Sequence, residues 1–76
     1  MTIPVELLHT TRLGELRIRR NVGPEIGDVV AWCRECVAAS SPHDIMRRGK
    51  NWYVRARGCV ITINAHSYTI ITAHRV

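Results

Sequence analysis

The feature that most constrains this chain is a period-two pattern folded about a single glycine. Trp52, Val54 and Ala56 alternate with Tyr53, Arg55 and Arg57; Gly58 follows; then Cys59, Ile61 and Ile63 alternate with Val60 and Thr62. Successive side chains of a strand point to opposite faces, so this alternation marks half-buried strands. Gly58 supplies the positive φ that a two-residue hairpin turn demands. A turn at Arg57-Gly58 pairs Ala56 with Cys59, Val54 with Ile61 and Trp52 with Ile63, and all six side chains then share one face. Turn chemistry and hydrophobic pattern therefore agree.

Two more strands are expected around this hairpin. Residues 44–48, ended by Gly49, read as a short one. Residues 68–74, rich in Thr, Ile and Tyr, read as the last, after a turn at Asn64-Ala65-His66-Ser67. A two- or four-residue loop there would turn Tyr68, Ile70 and Thr72 inward. A three-residue loop would turn Ile71 and Ala73 inward. It would leave Tyr68, Thr72 and His74 on the polar face with Tyr53, Arg55, Thr62 and Asn64. The second register is favoured because it buries apolar groups.

The N-terminal half has helical character. Residues 2–8 form a first turn or two, with Thr2 or Ile3 ahead of Pro4. Residues 11–21 form a basic helix capped by Thr10 or Thr11, carrying Leu13, Leu16 and Ile18 among Arg12, Arg17, Arg19 and Arg20, and ended by Gly23-Pro24. Residues 25–39 read as the main helix. Ile26, Val29, Val30, Cys33 and Val37 form its stripe, Trp32 and Cys36 widen it, and Glu25 and Asp28 lie near its positive end. Ser40-Ser41-Pro42 stops it. The expected fold is α+β: two or three N-terminal helices packed on one face of a three- or four-stranded antiparallel sheet, in a single domain over 1–76.

A chain of 76 residues buries only roughly 60–65% of its unfolded surface. A small core, a partner or a homodimer must supply its stability. The hydrophobic fraction of 46% places it among globular chains. Lys and Arg number 11 against 6 Asp and Glu, a formal net charge of +5, and Lys50 is the only Lys. Arg forks match phosphate or carboxylate in two bonds, so the expected partner is a polyanion (RNA, DNA or a nucleoprotein) or an acidic protein surface. No segment reaches the ~18 apolar residues of a membrane span, and residues 1–9 lack a signal-peptide pattern. The reading is no membrane partner and a cytoplasmic location. Three Cys are a poor disulfide framework and fit a reducing compartment.

The motifs point to binding more than to chemistry. Cys33-Arg34-Glu35-Cys36 has redox or zinc spacing, but lies mid-helix without a second ligand pair, so the cysteines read as buried structure. No metal and no cofactor is expected. Arg47-Arg48-Gly49-Lys50-Asn51 is a basic bend lacking the P-loop pattern, suited to phosphate contact. Tyr53 beside Arg55 can stack a base. The binding set read from sequence is Arg17, Arg20, Arg47, Arg48, Lys50, Tyr53, Arg55, Asn64, Tyr68 and Thr72. His66 and His74 are the catalytic candidates of the alternative reading, a metal-independent ribonuclease in which one His removes the 2′-hydroxyl proton and another protonates the leaving group.

Four stretches resemble a family of short bacterial proteins catalogued as a domain of unknown function: Leu8-His9-Thr10-Thr11 with Leu13-Gly14, Asp28 to Cys33, Gly49 to Val54, and Ile61 to His74. That resemblance implies identity without an activity. The order of elements is also similar to the barnase, colicin E5 and RelE group of RNase toxins, which implies helices followed by a sheet with a catalytic open face. Size and basicity resemble phage or mobile-element inhibitors of the anti-CRISPR class, which implies a binding role against a host machine.

Overall fold

The computed structural model describes residues 3–76, so the capping role considered for Thr2 lies outside the described residues. Two helices, α1 (Arg12–Val22) and α2 (Val29–Ala39), precede four strands: β1 (Ile45–Arg48), β2 (Asn51–Ala56), β3 (Cys59–Asn64) and β4 (Ile70–Arg75). Single 3-10 turns at Val5–Leu7 and Pro42–Asp44 lead into α1 and β1. The strands form an antiparallel meander in the order β1-β2-β3-β4.

Thr11 caps α1, its hydroxyl oxygen accepting the Gly14 N–H at 3.0 Å. The buried stripe of α1 is Gly14, Ile18 and Val22, at helical i, i+4 spacing. Leu13 and Leu16 are 57% and 54% exposed. Gly14 is where the helix crosses close to β4: a Cβ there would collide with Thr10 Oγ1 and come within 3.2 Å of the Ile70 carbonyl oxygen. Thr10 Oγ1 donates to that same oxygen at 2.8 Å.

The second helix starts at Val29 and not at residue 25. Asp28 is its N-cap, accepting the Ala31 N–H at 3.0 Å, and Gly27 before it is a poor helix former. Glu25, Ile26 and Gly27 are instead a connection clamped by Arg19, whose guanidinium donates to the Ile26 and Gly27 carbonyls at 2.6 Å each.

The central hairpin has the expected register, with Ala56, Val54 and Trp52 opposite Cys59, Ile61 and Ile63. Both turn residues are left-handed, Arg57 at φ 51 and Gly58 at φ 73. This is the type I′ combination that matches the twist of the strands. A residue with a Cβ pays for that conformation and Asn pays least, so Arg57→Asn is expected to stabilise the fold by ~1 kcal/mol, a Tm rise of roughly 4–8 °C. An unchanged or lower Tm in thermal unfolding would show that the Arg57 side chain contributes more than its backbone costs.

The last hairpin departs from both expected registers. Thr62 faces Thr72 but Ile63 faces Ile70, so Ile71 is an extra residue in β4. Such a bulge shifts the alternation midway along a strand. Ile70 and Ala73 are therefore both fully buried, whereas Ile71, expected in the core, is only half-buried. Thr72 and His74 keep the outer face, as the three-residue loop would have it.

Both helices cover the same face of the sheet. Ile18, Val29, Cys33 and Cys36 meet Val54, Cys59, Ile61, Ile63 and Ile70 in one core, with Leu8 sealing its N-terminal side.

Candidate nucleic-acid interface

The opposite face carries no helix. Its residues form rows set by the strand register. Met46, Tyr53, Thr62 and Thr72 run across all four strands; Arg55, Val60 and His74 form a second row; Arg48, Asn51 and Asn64 a third. Met46, Arg48, Arg55 and His74 are exposed, Tyr53, Val60 and Thr72 half-buried, and Thr62 at the centre is buried. No Asp or Glu occurs after Asp44, whereas Arg47, Arg48, Lys50, Arg55, Arg57 and Arg75 all do. A groove of about 440 Å³ is cut into this face, lined by His43, Asp44, Met46, Arg48, Tyr53, Arg55 and Val60.

Helix α1 borders the face. Asn21 Nδ2 donates to Thr72 Oγ1 at 3.4 Å. Arg17 lies one turn before Asn21 on that flank, and Arg20 follows three residues after Arg17; both are exposed. The structure thus brings together Arg48, Tyr53, Arg55 and Thr72 from the binding set, with Arg17 at the border, whereas Arg20 lies on the side of α1 opposite its buried stripe.

The other members lie elsewhere. Arg47 belongs to the opposite face, its guanidinium 5.8 Å from the Trp52 ring centroid and its Nε donating to the Gly49 carbonyl at 2.9 Å. Lys50 is exposed in the β1–β2 turn. Asn64 has the right register, but its Oδ1 accepts the backbone N–H groups of His66 and Ser67 at 2.9 and 3.0 Å and shapes the β3–β4 loop. Tyr68 is not on the polar face. Left-handed at φ 61, it stacks on Trp52 with ring centroids 5.9 Å apart, which fills the edge of the core.

The two catalytic candidates do not meet. His74 pairs with Val60 at one end of β3, and His66 sits in the loop beyond Asn64 at the other end, about 13 Å away along the strand. A histidine that sequence reading passed over is better placed for hydrogen bonding. His9 Nδ1 lies 3.0 Å from the Leu7 carbonyl oxygen and Nε2 lies 3.1 Å from Thr69 Oγ1, which is 2.7 Å from Ser67 Oγ. A carbonyl only accepts, so Nδ1 carries a hydrogen, and in the tautomer protonated there alone Nε2 accepts from Thr69 Oγ1. Backbone bonds from His9 N–H to the Tyr68 carbonyl and from Ile70 N–H to the His9 carbonyl make this segment a parallel neighbour of the loop. The Ser67-x-Thr69 spacing was the available signal; its partner stands sixty residues earlier in the chain.

The cysteines are interior. Burial pushes the Cys33 thiol up to about 12, and neighbouring Cys36 and Cys59 add to the shift. Burial also raises Cys36, against the pull of the Arg57 charge. Thiols held this way are packing groups and not nucleophiles. Among the described residues no three His, Cys, Asp or Glu side chains are placed to share a metal ion, and no helix is long and apolar enough to cross a membrane.

A family model matches residues 2–74 of the chain. The chain belongs to the family described as protein of unknown function, DUF3781. The DUF3781 match takes in both helices, β1 to β3 and all of β4 but its last residue, and with them the open face and the His9–Thr69–Ser67 chain. No curated protein and no solved structure matches.

Proposed function

We propose that this protein binds single-stranded nucleic acid on the open face of its sheet. One observation carries the reading: a sheet face left uncovered by the helices, bearing the Tyr53 ring between Arg48 and Arg55 in a groove, with Asp44 as its only acid. An aromatic ring on a flat face offers stacking to any unpaired base, and the Arg forks beside it offer contacts to the backbone phosphates. A duplex keeps its bases stacked and cannot use Tyr53 in this way. Arg17, one turn before Asn21, extends the basic surface along one border.

Binding of a labelled oligonucleotide, followed by fluorescence anisotropy, tests this. The single strand is expected to bind at least about tenfold tighter than the same sequence as a duplex. With about three phosphates contacted, log K should fall against log salt with a slope of about −2. Equal affinity for both forms, or no salt-sensitive binding, would overturn the proposal. The ribonuclease reading gains less support, because His66 and His74 stand at opposite ends of β3.

A further inference from the structure

We infer that the groove around Tyr53 is a nucleobase pocket selective for guanine, with Asp44 as the residue that reads the base. This deepens the proposed function and rests on it.

Asp44 is the anomaly of the site. It is the sole carboxylate lining a groove otherwise flanked by Arg48 and Arg55, on a face suited to phosphate. A carboxylate there repels phosphate, so its place in the groove calls for hydrogen-bond donors on the ligand. Its position is set by the Pro42–Asp44 turn, where Oδ2 accepts the Ser41 hydroxyl at 3.1 Å. The β1–β2 pairing ends at Ile45 opposite Val54, and Asp44 and Arg55, the next residue of each chain segment, both line the groove. Yet the ion pairs among the described residues join Arg19 to Glu15 and Arg75 to Glu25, and none involves Asp44. Ser41 thus holds the carboxylate, and among the described residues Arg55 makes no ion pair with it.

The groove matches one base in particular. Its volume of about 440 Å³ lies in the range of small-ligand sites. Tyr53 supplies a ring to stack on, and Met46 and Val60 supply apolar walls. Guanine carries two adjacent donors, N1–H and N2–H₂, that fit the two oxygens of a carboxylate. Its other edge carries the O6 and N7 acceptors that an Arg fork reads. Uracil offers a single ring N–H, and adenine and cytosine a single amino group, so each leaves half of the carboxylate unmet.

The test uses labelled oligouridine and the same strand with one central guanosine, adenosine or cytidine, against the full chain and Asp44→Asn, with thermal unfolding confirming that both proteins fold. The guanosine strand is expected to bind the parent protein about tenfold to a hundredfold tighter than the others. Asp44→Asn should bind all four strands alike, while binding oligouridine at least as tightly as before. Equal binding of the four strands by the parent protein would overturn the guanine pocket and leave the proposed function standing. A guanosine preference that survives in Asp44→Asn would overturn the role of Asp44. Binding of no strand would overturn the proposed function itself.

Discussion

Ile61→Ala is expected to destabilise the protein by ~3–4 kcal/mol and to lower its Tm by roughly 15–25 °C. Ile61 is fully buried at the centre of β3, with Val54 on one side and Ala73 on the other, under the two helices. Truncation removes the transfer energy of its side chain and leaves a cavity, because Val54 is held by its own strand and Ala73 is too small to move in. A domain of this length has a stability of only ~4–11 kcal/mol, so one substitution removes a large share of the total. Denaturant unfolding measures the loss directly. Val60→Ala, one residue earlier and half-buried on the open face, serves as the control and should lose well under half as much. A loss below ~1 kcal/mol for Ile61→Ala would mean that the sheet and helices do not share the core described above.

Arg55→Glu is expected to weaken oligonucleotide binding by about two orders of magnitude while leaving the fold intact. Arg55 is exposed on the outer face, in the second row beside Val60 and two residues along β2 from Tyr53. Its replacement removes one phosphate contact of the proposed interface and puts a second acidic residue in the groove with Asp44, so the face loses attraction and gains repulsion together. Central contacts of an interface carry ~2–4 kcal/mol each, and two orders of magnitude correspond to ~2.8 kcal/mol. Arg57→Glu, which changes the net charge equally from the turn beyond the face, separates the local effect from the global one: its loss should stay within about threefold. If the two variants weaken binding alike, net charge and not the open face governs the interaction.

Much of the architecture was legible because it rests on short-range rules. The inner face of β2 and β3 follows from strict alternation around a turn whose second residue is glycine, and the structure has Trp52, Val54, Cys59, Ile61 and Ile63 buried together as that pattern requires. The caps at Thr11 and Asp28 are equally local, although the second also starts the helix later than its apolar stripe suggests. The charge separation that leaves the last strands free of acids can be read directly from the chain.

The rest depended on which atoms meet across the fold. Position along the chain does not show which Arg side chains the fold itself holds. In three dimensions Arg19 is taken up by the Ile26 and Gly27 carbonyls, Arg34 by the Leu8 carbonyl at 2.9 Å and Arg75 by the Val22 carbonyl. Those three act as clamps, and only part of the positive charge remains for a ligand. Nor could alternation place Tyr68, because one extra residue at Ile71 resets the register between Thr62 and Ile63 and sends that ring to Trp52. His9 joined Thr69 and Ser67 for the same kind of reason, through a parallel bridge between residues sixty positions apart. Periodicity and turn chemistry act over a few residues and therefore determined the strands, the helices and the two faces of the sheet. Hydrogen-bond partners are shared over the whole chain, so tertiary structure alone decided which of its basic, aromatic and histidine side chains stand free on the open face.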